Sequence, residues 1–385
     1  TSFNFGQRAF EKTVPSGFKA LCTQNLDDTF SGAELNNPSK YFDITTFTGT
    51  GGTITRSPFS FQPDLVWFKG RSDSNDGHEL YDAVRGATKG LYTHLTNQEG
   101  TESTGLTAFT SNGFTTGDGG WVNTDGDTYV AWNWDAGTAA NTSTNTAGDN
   151  ITVAIGDQWV NNTAGFSITK YPGDGSGAAN SDSGDAVGHG LSAKPDFIVI
   201  KKIDGTNGWP VYHSGLANST DHLNLQTTGG IDSNNYCYAA QPDNNKVELG
   251  NNPEVNATGN NYIMYCWTAI PGYSAFGSYE GTNNASTGPF VWTGFRPRWL
   301  LTHCVDTTGG WAIHDTLRDI DGNGGKTYSI ETQTNGGEDD TSTDTGTDIL
   351  SNGFRPVSTW NPSNHAGTVI YAAFAEHPFK TARAK

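Results

Sequence analysis

Residues 123–134 read NTDGDTYVAWNW, and residues 256–267 read NATGNNYIMYCW. In both, a stretch of turn formers leads into an aromatic run that ends in Trp. Taken alternately, the first run places Val130, Trp132 and Trp134 on one face and Tyr129, Ala131 and Asn133 on the other. The second places Ile263, Tyr265 and Trp267 against Tyr262, Met264 and Cys266. A period of two is that of a strand. A strand apolar on both faces is covered from both sides, and two packed, mostly antiparallel sheets supply that cover. The preceding VNTDG and VNATG bring residues that tolerate positive φ into a tight turn.

The likeness extends outward from this pair. FDITTFTG at 42–49 returns as FSITKYPG at 166–173, with GYSAFGSYEG at 272–281 as a looser third copy. FQPDLVWFKG (61–70) matches SAKPDFIVIKK (192–202) and FRPRWLLTHC (295–304), while ELYDAVRG (79–86) matches PVYHSGLA (210–217) and AIHDTLRD (312–319). SNGF occurs at 111–114 and at 351–354, in both cases 17 residues before the start of the last strand, and the third closing strand is VIYAAF. Order and spacing are kept, so the chain contains three copies of a module of about 100 residues, at 41–137, 165–271 and 272–379. A module of that size is long enough for its own core, which predicts an all-β chain of three tandem antiparallel β-sandwiches. Residues 138–164 read as a linker with an added strand in ITVAIGDQWV, residues 1–40 as a connector and 380–385 as a tail. Copies two and three abut without a linker and are expected to pack rigidly.

Composition agrees. Of 385 residues 49 are Gly, 12% are aromatic and 16% are charged, and no Leu/Ala/Glu/Lys run suggests a long helix. A net charge of −18 repels phosphate backbones and anionic membrane surfaces, so neither nucleic acid nor membrane insertion is an expected partner. No apolar run reaches the length of a membrane helix. The opening TSFNFGQRAF is neither a signal peptide nor an initiator-Met sequence, as in a processed chain or a piece of a longer one. Cys22, Cys237, Cys266 and Cys304 lie far apart without a C-x-x-C, and read as free thiols of a chain folded in a reducing cytoplasm.

Few residues carry a chemical signature. Asp319, Asp321 and Asn323 stand at positions 1, 3 and 5 of a calcium loop with Gly324 at 6, but position 12 is Ile330. An extended polar turn is the plainer reading and a bound calcium ion the alternative; no other cofactor is expected. Asp82 with Arg85, and Asp315 with Arg318, read as local ion pairs clamping a turn. Trp121 and Trp360 follow the SNGF positions and are candidates for stacking on a sugar. No zinc-spaced His pair, G-x-S-x-G, P-loop or dinucleotide fingerprint occurs. Acids such as Glu99, Glu102 and Asp221 are the residues from which a glycosidase pair would have to come. No catalytic residue is assigned.

The series PDLVWFKGR, LYDAVRG, SNGF and TYVAWNWDAG, with the terminal IYAAFAEHPFKTARAK, resembles a repeat domain of unknown function found in tail proteins of tailed bacteriophages. The opening FNFGQRAFEKTVPSGFKALCTQNL resembles the end of a phage SPRY domain, a lectin-like β-sandwich. The resemblance implies a non-enzymatic virion protein, a tail-fibre or appendage subunit made in the bacterial cytoplasm. Its implied partners are further copies of itself in a homotrimer, other virion proteins, and a glycan or protein on the host surface. It assigns no catalytic residue, and the second copy departs from it where VYHSGLA replaces the D-x-x-R of the others. A tail-associated polysaccharide-degrading enzyme and a secreted bacterial adhesin or lectin are the alternatives.

Overall fold

The computed structural model describes Leu35 and residues 37–376, except 73–74, 140–150, 152, 154–156, 176–184, 234–236, 319–327 and 339–345. The first repeat comprises β1 (Phe42–Thr48), β2 (Ile54–Arg56), β3 (Leu65–Gly70), β4 (His78–Asp82), β5 (Lys89–Gly90), β6 (Gly100–Thr101), β7 (Leu106–Thr110), β8 (Gly113–Thr116) and β9 (Thr128–Trp134). Two strands follow in the expected linker, β10 (Thr138–Ala139) and β11 (Gln158–Asn161). The second repeat holds β12 (Phe166–Pro172), β13 (Asp185–Gly188), β14 (Phe197–Lys202), β15 (Pro210–His213), β16 (Leu223–Asn224), β17 (Lys246–Leu249) and β18 (Asn261–Trp267). The third holds β19 (Ser274–Gly281), β20 (Val291–Trp292), β21 (Pro297–Cys304), β22 (Ala312–Asp315), β23 (Ile330–Glu331), β24 (Thr347–Leu350), β25 (Gly353–Pro356) and β26 (Gly367–Ala375). The only α-helices among the described residues are single turns, α1 (Gly120–Asn123) and α2 (Asn361–Asn364).

Each repeat builds the same pair of antiparallel sheets. The larger sheets run β1-β9-β3-β4, β12-β18-β14-β15-β16 and β19-β26-β21-β22-β23, with β10 and β11 extending the second beyond β12. The smaller ones are β2-β8-β7, β13-β17 and β20-β25-β24. In every copy the closing strand lies between the first strand and the one from the P-D-L, P-D-F or P-R-W motif. Trp134 is thus flanked by Phe42 and Leu65, Trp267 by Phe166 and Phe197, and Phe374 by Ser274 and Trp299.

The two faces of the closing strand go to different cores. Ala131 joins Val66, Phe68, Tyr81 and Phe114 between the two sheets of the first repeat. Tyr262, Met264 and Cys266 do the same in the second, and Tyr371, Ala373 and Ala375 in the third. The opposite faces meet in one cluster: Val130, Trp132 and Trp134, then Ile263, Tyr265 and Trp267, then Ile370, Ala372 and Phe374. Trp134 packs edge-on against Trp267, Trp299 and Phe374, so rings from all three repeats touch at the centre. A small apolar cavity of about 30 Å³ remains there, lined by Trp67, Trp209, Tyr265 and Leu301 among others. Each repeat encloses a minor core of its own, but its larger apolar face is buried only by the other two.

The repeats close into a ring. Glu99 donates its backbone N–H to the Ile203 carbonyl at 2.8 Å, Ile231 to Val305 at 3.2 Å, and Glu338 to Arg71 at 2.9 Å. These are one contact made three times: first repeat to second, second to third, third to first. A second set repeats it with side chains. The ring nitrogen His78 Nε2 pairs with the Glu331 carbonyl at 3.0 Å, while Trp209 Nε1 donates to the Tyr92 carbonyl and Trp311 Nε1 to that of Asn224, both at 3.1 Å. The chain therefore has approximate threefold symmetry within itself.

The turn before each closing strand is set by one buried Asn. The side-chain oxygen of Asn123, Asn256 and Asn364 accepts a backbone N–H from Thr50, Asp174 and Thr282 respectively, each one or two residues beyond the first strand of its repeat. The preceding residue is Gly49, Gly173 or Gly281, where a Cβ would collide with the carbonyl oxygen of Thr124, Ala257 or His365. That close approach explains why FTG, YPG and YEG end in glycine.

Candidate functional site

The D-x-x-R residues lie at the joints between repeats. Asp82 Oδ1 accepts the Arg85 backbone N–H at 2.8 Å, and Oδ2 accepts Arg85 Nε at 2.5 Å. This is the local clamp expected from the sequence, but Oδ2 also accepts the hydroxyl of Tyr265, from the second repeat, at 2.7 Å. Asp315 repeats the arrangement: Arg318 donates Nε at 2.5 Å, and Trp132 of the first repeat donates Nε1 at 3.0 Å. Each arginine reaches a second acid, Arg85 to Glu99 at 3.1 Å and Arg318 to Glu338 at 2.8 Å. Burial works against the Arg85 charge, but Asp82, Tyr265 and Glu99 hold its pKa above the usual arginine value.

This geometry explains the departure in the second copy. The third repeat presents Ala372 where the others present Trp132 and Tyr265, so it has no side-chain donor to offer. His213, at the aspartate position, instead donates Nε2–H to the Tyr371 carbonyl at 3.0 Å. Its Nδ1 accepts the Gly215 N–H at 2.9 Å, which fixes the neutral tautomer. Burial pushes the pKa of this histidine down to about 4. Leu216, at the arginine position, joins the central core, and no charge is left there to neutralise.

Neither candidate tryptophan is fully exposed. Trp121 is half-buried, with its ring edge-on to Tyr92 and tilted against His94. Trp360 is half-buried and edge-on to His314. Asp319, Asp321 and Asn323 lie outside the described residues. The acids considered for a glycosidase pair have structural partners: Glu99 with Arg85, Glu102 with the Tyr92 hydroxyl, and Asp221 with Asn218 Nδ2 at 2.8 Å.

One surface feature was missed in the sequence. Phe290 and Trp292 are 50% and 66% exposed, the large apolar side chains most open to water among the described residues. Phe290 lies immediately before β20 and Trp292 is the last residue of that strand. β20, which carries Trp292, pairs with β25 alone and is the edge of its sheet. The repeat pattern contained a signal: Val291 pairs with Phe354 as Arg56 does with Phe114, which places Trp292 where the first copy has Ser57. A tryptophan in place of a serine at an exposed edge is not required by the module.

Sheets and joints together define an all-β protein of three like sandwiches closed around one core. The chain belongs to the family described as Domain of unknown function (DUF7483), whose model matches residues 37–378 as one unit. That span covers all three repeats, in keeping with a core they share. No curated protein and no solved structure is significantly similar to the chain.

Proposed function

We propose that this chain is a virion protein of a tailed bacteriophage, a subunit of a tail fibre or related appendage that contacts the host surface. The observation that carries the contact is the pair Phe290 and Trp292, held in water on a free sheet edge. Exposed aromatic rings on a rigid sheet stack on the apolar faces of sugars and anchor protein contacts at little conformational cost. The ligand class is therefore a cell-surface glycan or protein, bound weakly by one chain and more tightly by several. The closed ring, with no long described helix and an acidic, polar exterior, suits a rigid external part.

Assignment to a phage particle rests on the resemblance of the repeat motifs, as do the other virion proteins named as partners. A homotrimer has the same support and no more.

Two experiments test the reading. Mass spectrometry of purified particles from the phage that encodes the chain should detect it at stoichiometric level; its absence would contradict the virion assignment. Purified chain should be retained by susceptible cells, and Trp292→Ala should lower retention at least about fivefold, the loss of one stacked ring. Unchanged retention would remove Trp292 from the contact.

A further inference from the structure

The second repeat contains a side-chain trio that the symmetry of the molecule does not require. His222, Cys237 and Glu254 bring one Nδ1 or Nε2, the Sγ and a carboxylate oxygen within 4.8 Å of one another. His222 and Cys237 are completely buried, and Glu254 is half-buried. No hydrogen bond of normal geometry reaches either ring nitrogen of His222, and the backbone group beside the ring is that of Thr220. An enclosed imidazole so poorly paired forfeits hydrogen bonds it made in water. Cys237 Sγ lies 3.9 Å from Glu254 Oε2, and Glu254 Oε1 accepts the Gly208 N–H at 3.1 Å, which orients the carboxylate.

The other two repeats show what the module needs at these positions. His222 precedes Leu223, which pairs with Val211 as Leu91 does with Leu80 and Ile330 with Ile313. Its equivalents are therefore Gly90 and Ser329. The Cys237 carbonyl accepts the N–H of Gly250, as the Gly105 carbonyl accepts that of Gly117 and the Gly346 carbonyl that of Val357. Glu254 stands two residues before the turn-setting Asn256, where the other copies have Trp121 and Pro362. Three glycines, a serine, a tryptophan and a proline stand where the second repeat has three ligand-type side chains. All three converge in one place.

We propose that His222, Cys237 and Glu254 bind a single thiophilic divalent transition-metal ion, with Zn²⁺ the ion whose chemistry the set matches. Imidazole nitrogen, thiolate sulfur and carboxylate oxygen are the three ligand types of tetrahedral zinc. Three protein ligands leave a fourth position, open to a water from the half-exposed Glu254 side. Asp232, Asp221 and Glu254 add negative charge around His222, a field that favours a cation. A thiol binds such an ion as the thiolate, so binding at Cys237 releases one proton to solvent. Held by this ion, the residue leading into β16, the segment before β17 and the turn before β18 become one cross-linked unit.

The test uses the full chain, stripped with chelator and titrated with Co²⁺. One equivalent should produce a thiolate-to-cobalt charge-transfer absorption together with the visible bands of tetrahedral cobalt, and Zn²⁺ should abolish both. Cys237→Ser should remove the charge-transfer band while Cys304→Ser keeps it. Glu254→Gln, at a half-exposed position, should keep the fold and weaken binding at least about tenfold, which decides the matter should Cys237→Ser fail to fold. No cobalt band, a band retained by Cys237→Ser, or unchanged affinity in Glu254→Gln would overturn the proposal.

Discussion

Four hydrogen bonds converge on the buried Asp315 carboxylate: the N–H groups of Leu317 and Arg318, Arg318 Nε, and Trp132 Nε1 from another repeat. Replacing Arg318 with Leu leaves that charge enclosed with only neutral donors, and such a change costs roughly 3–5 kcal/mol. Chemical denaturation should show the variant's midpoint lowered by that amount, and a variant within about 1 kcal/mol of the parent would deny the joint its role. A second prediction at this scale concerns pH. Burial lowers the pKa of His213 and His303 to about 4 and that of His314 to about 3, all below the ordinary 6.5. Between those values the unfolded chain binds protons that the folded chain does not, so stability falls as pH drops from about 6.5 towards 4. Glu79, Asp64 and Asp135 work in the opposite sense. Burial raises the pKa of Glu79 from 4.5 to about 7 and also raises those of Asp64 and Asp135, so their contributions are present at low pH and are lost as pH rises. The histidines that burial lowers, which also include His78, His94, His189 and His222, outnumber these acids, and denaturation midpoints should therefore fall on acidification across this window. His213→Gln should flatten the slope; an unchanged slope would show that His213 is not among the groups responsible.

The closing strands were the most legible elements, and also the ones whose surroundings were misjudged. Alternation in TYVAWNW and YIMYCW correctly implied cover on both faces, because a period of two assigns each side chain to a face. It could not say what supplies the cover. The face of Tyr262, Met264 and Cys266 meets the module's own small sheet, whereas that of Ile263, Tyr265 and Trp267 meets two other repeats. The D-x-x-R motif was read as a local clamp for the same reason: Arg85 is three residues from Asp82, but Tyr265 is 183 away. His222, Cys237 and Glu254 were silent in sequence because 15 and 17 residues separate them, and only the fold brings them together. Two substitutions test the element-level packing. Trp134→Ala removes the ring at the meeting point of the three repeats and should cost about 3–5 kcal/mol by denaturant titration. Gly281→Ala drives a methyl into the His365 carbonyl oxygen and should destabilise by more than the ~1 kcal/mol that glycine freedom alone explains. A neutral outcome at either site would place that element wrongly.

Over the whole molecule, three similar modules could be joined in two ways. As separate beads they would present their large apolar faces to water, and a contiguous face of Trp, Tyr and Phe is not tolerated on a soluble surface. Closed on one another, they bury those faces against copies of themselves, and the repeated loop-to-strand bonds at Glu99, Ile231 and Glu338 complete the ring. Closure also explains why the copies diverged where they did. Each joint is made by two different repeats, so Asp82 and Asp315 keep donors in Tyr265 and Trp132, while His213 adapts to a backbone carbonyl beside Ala372. Removing any one repeat exposes the central faces of the other two, so the three must fold and unfold together. Scanning calorimetry of the intact chain tests this most directly. A shared core predicts one transition whose calorimetric enthalpy about equals the van't Hoff enthalpy. Three resolvable transitions, or a calorimetric enthalpy about three times the van't Hoff value, would contradict it.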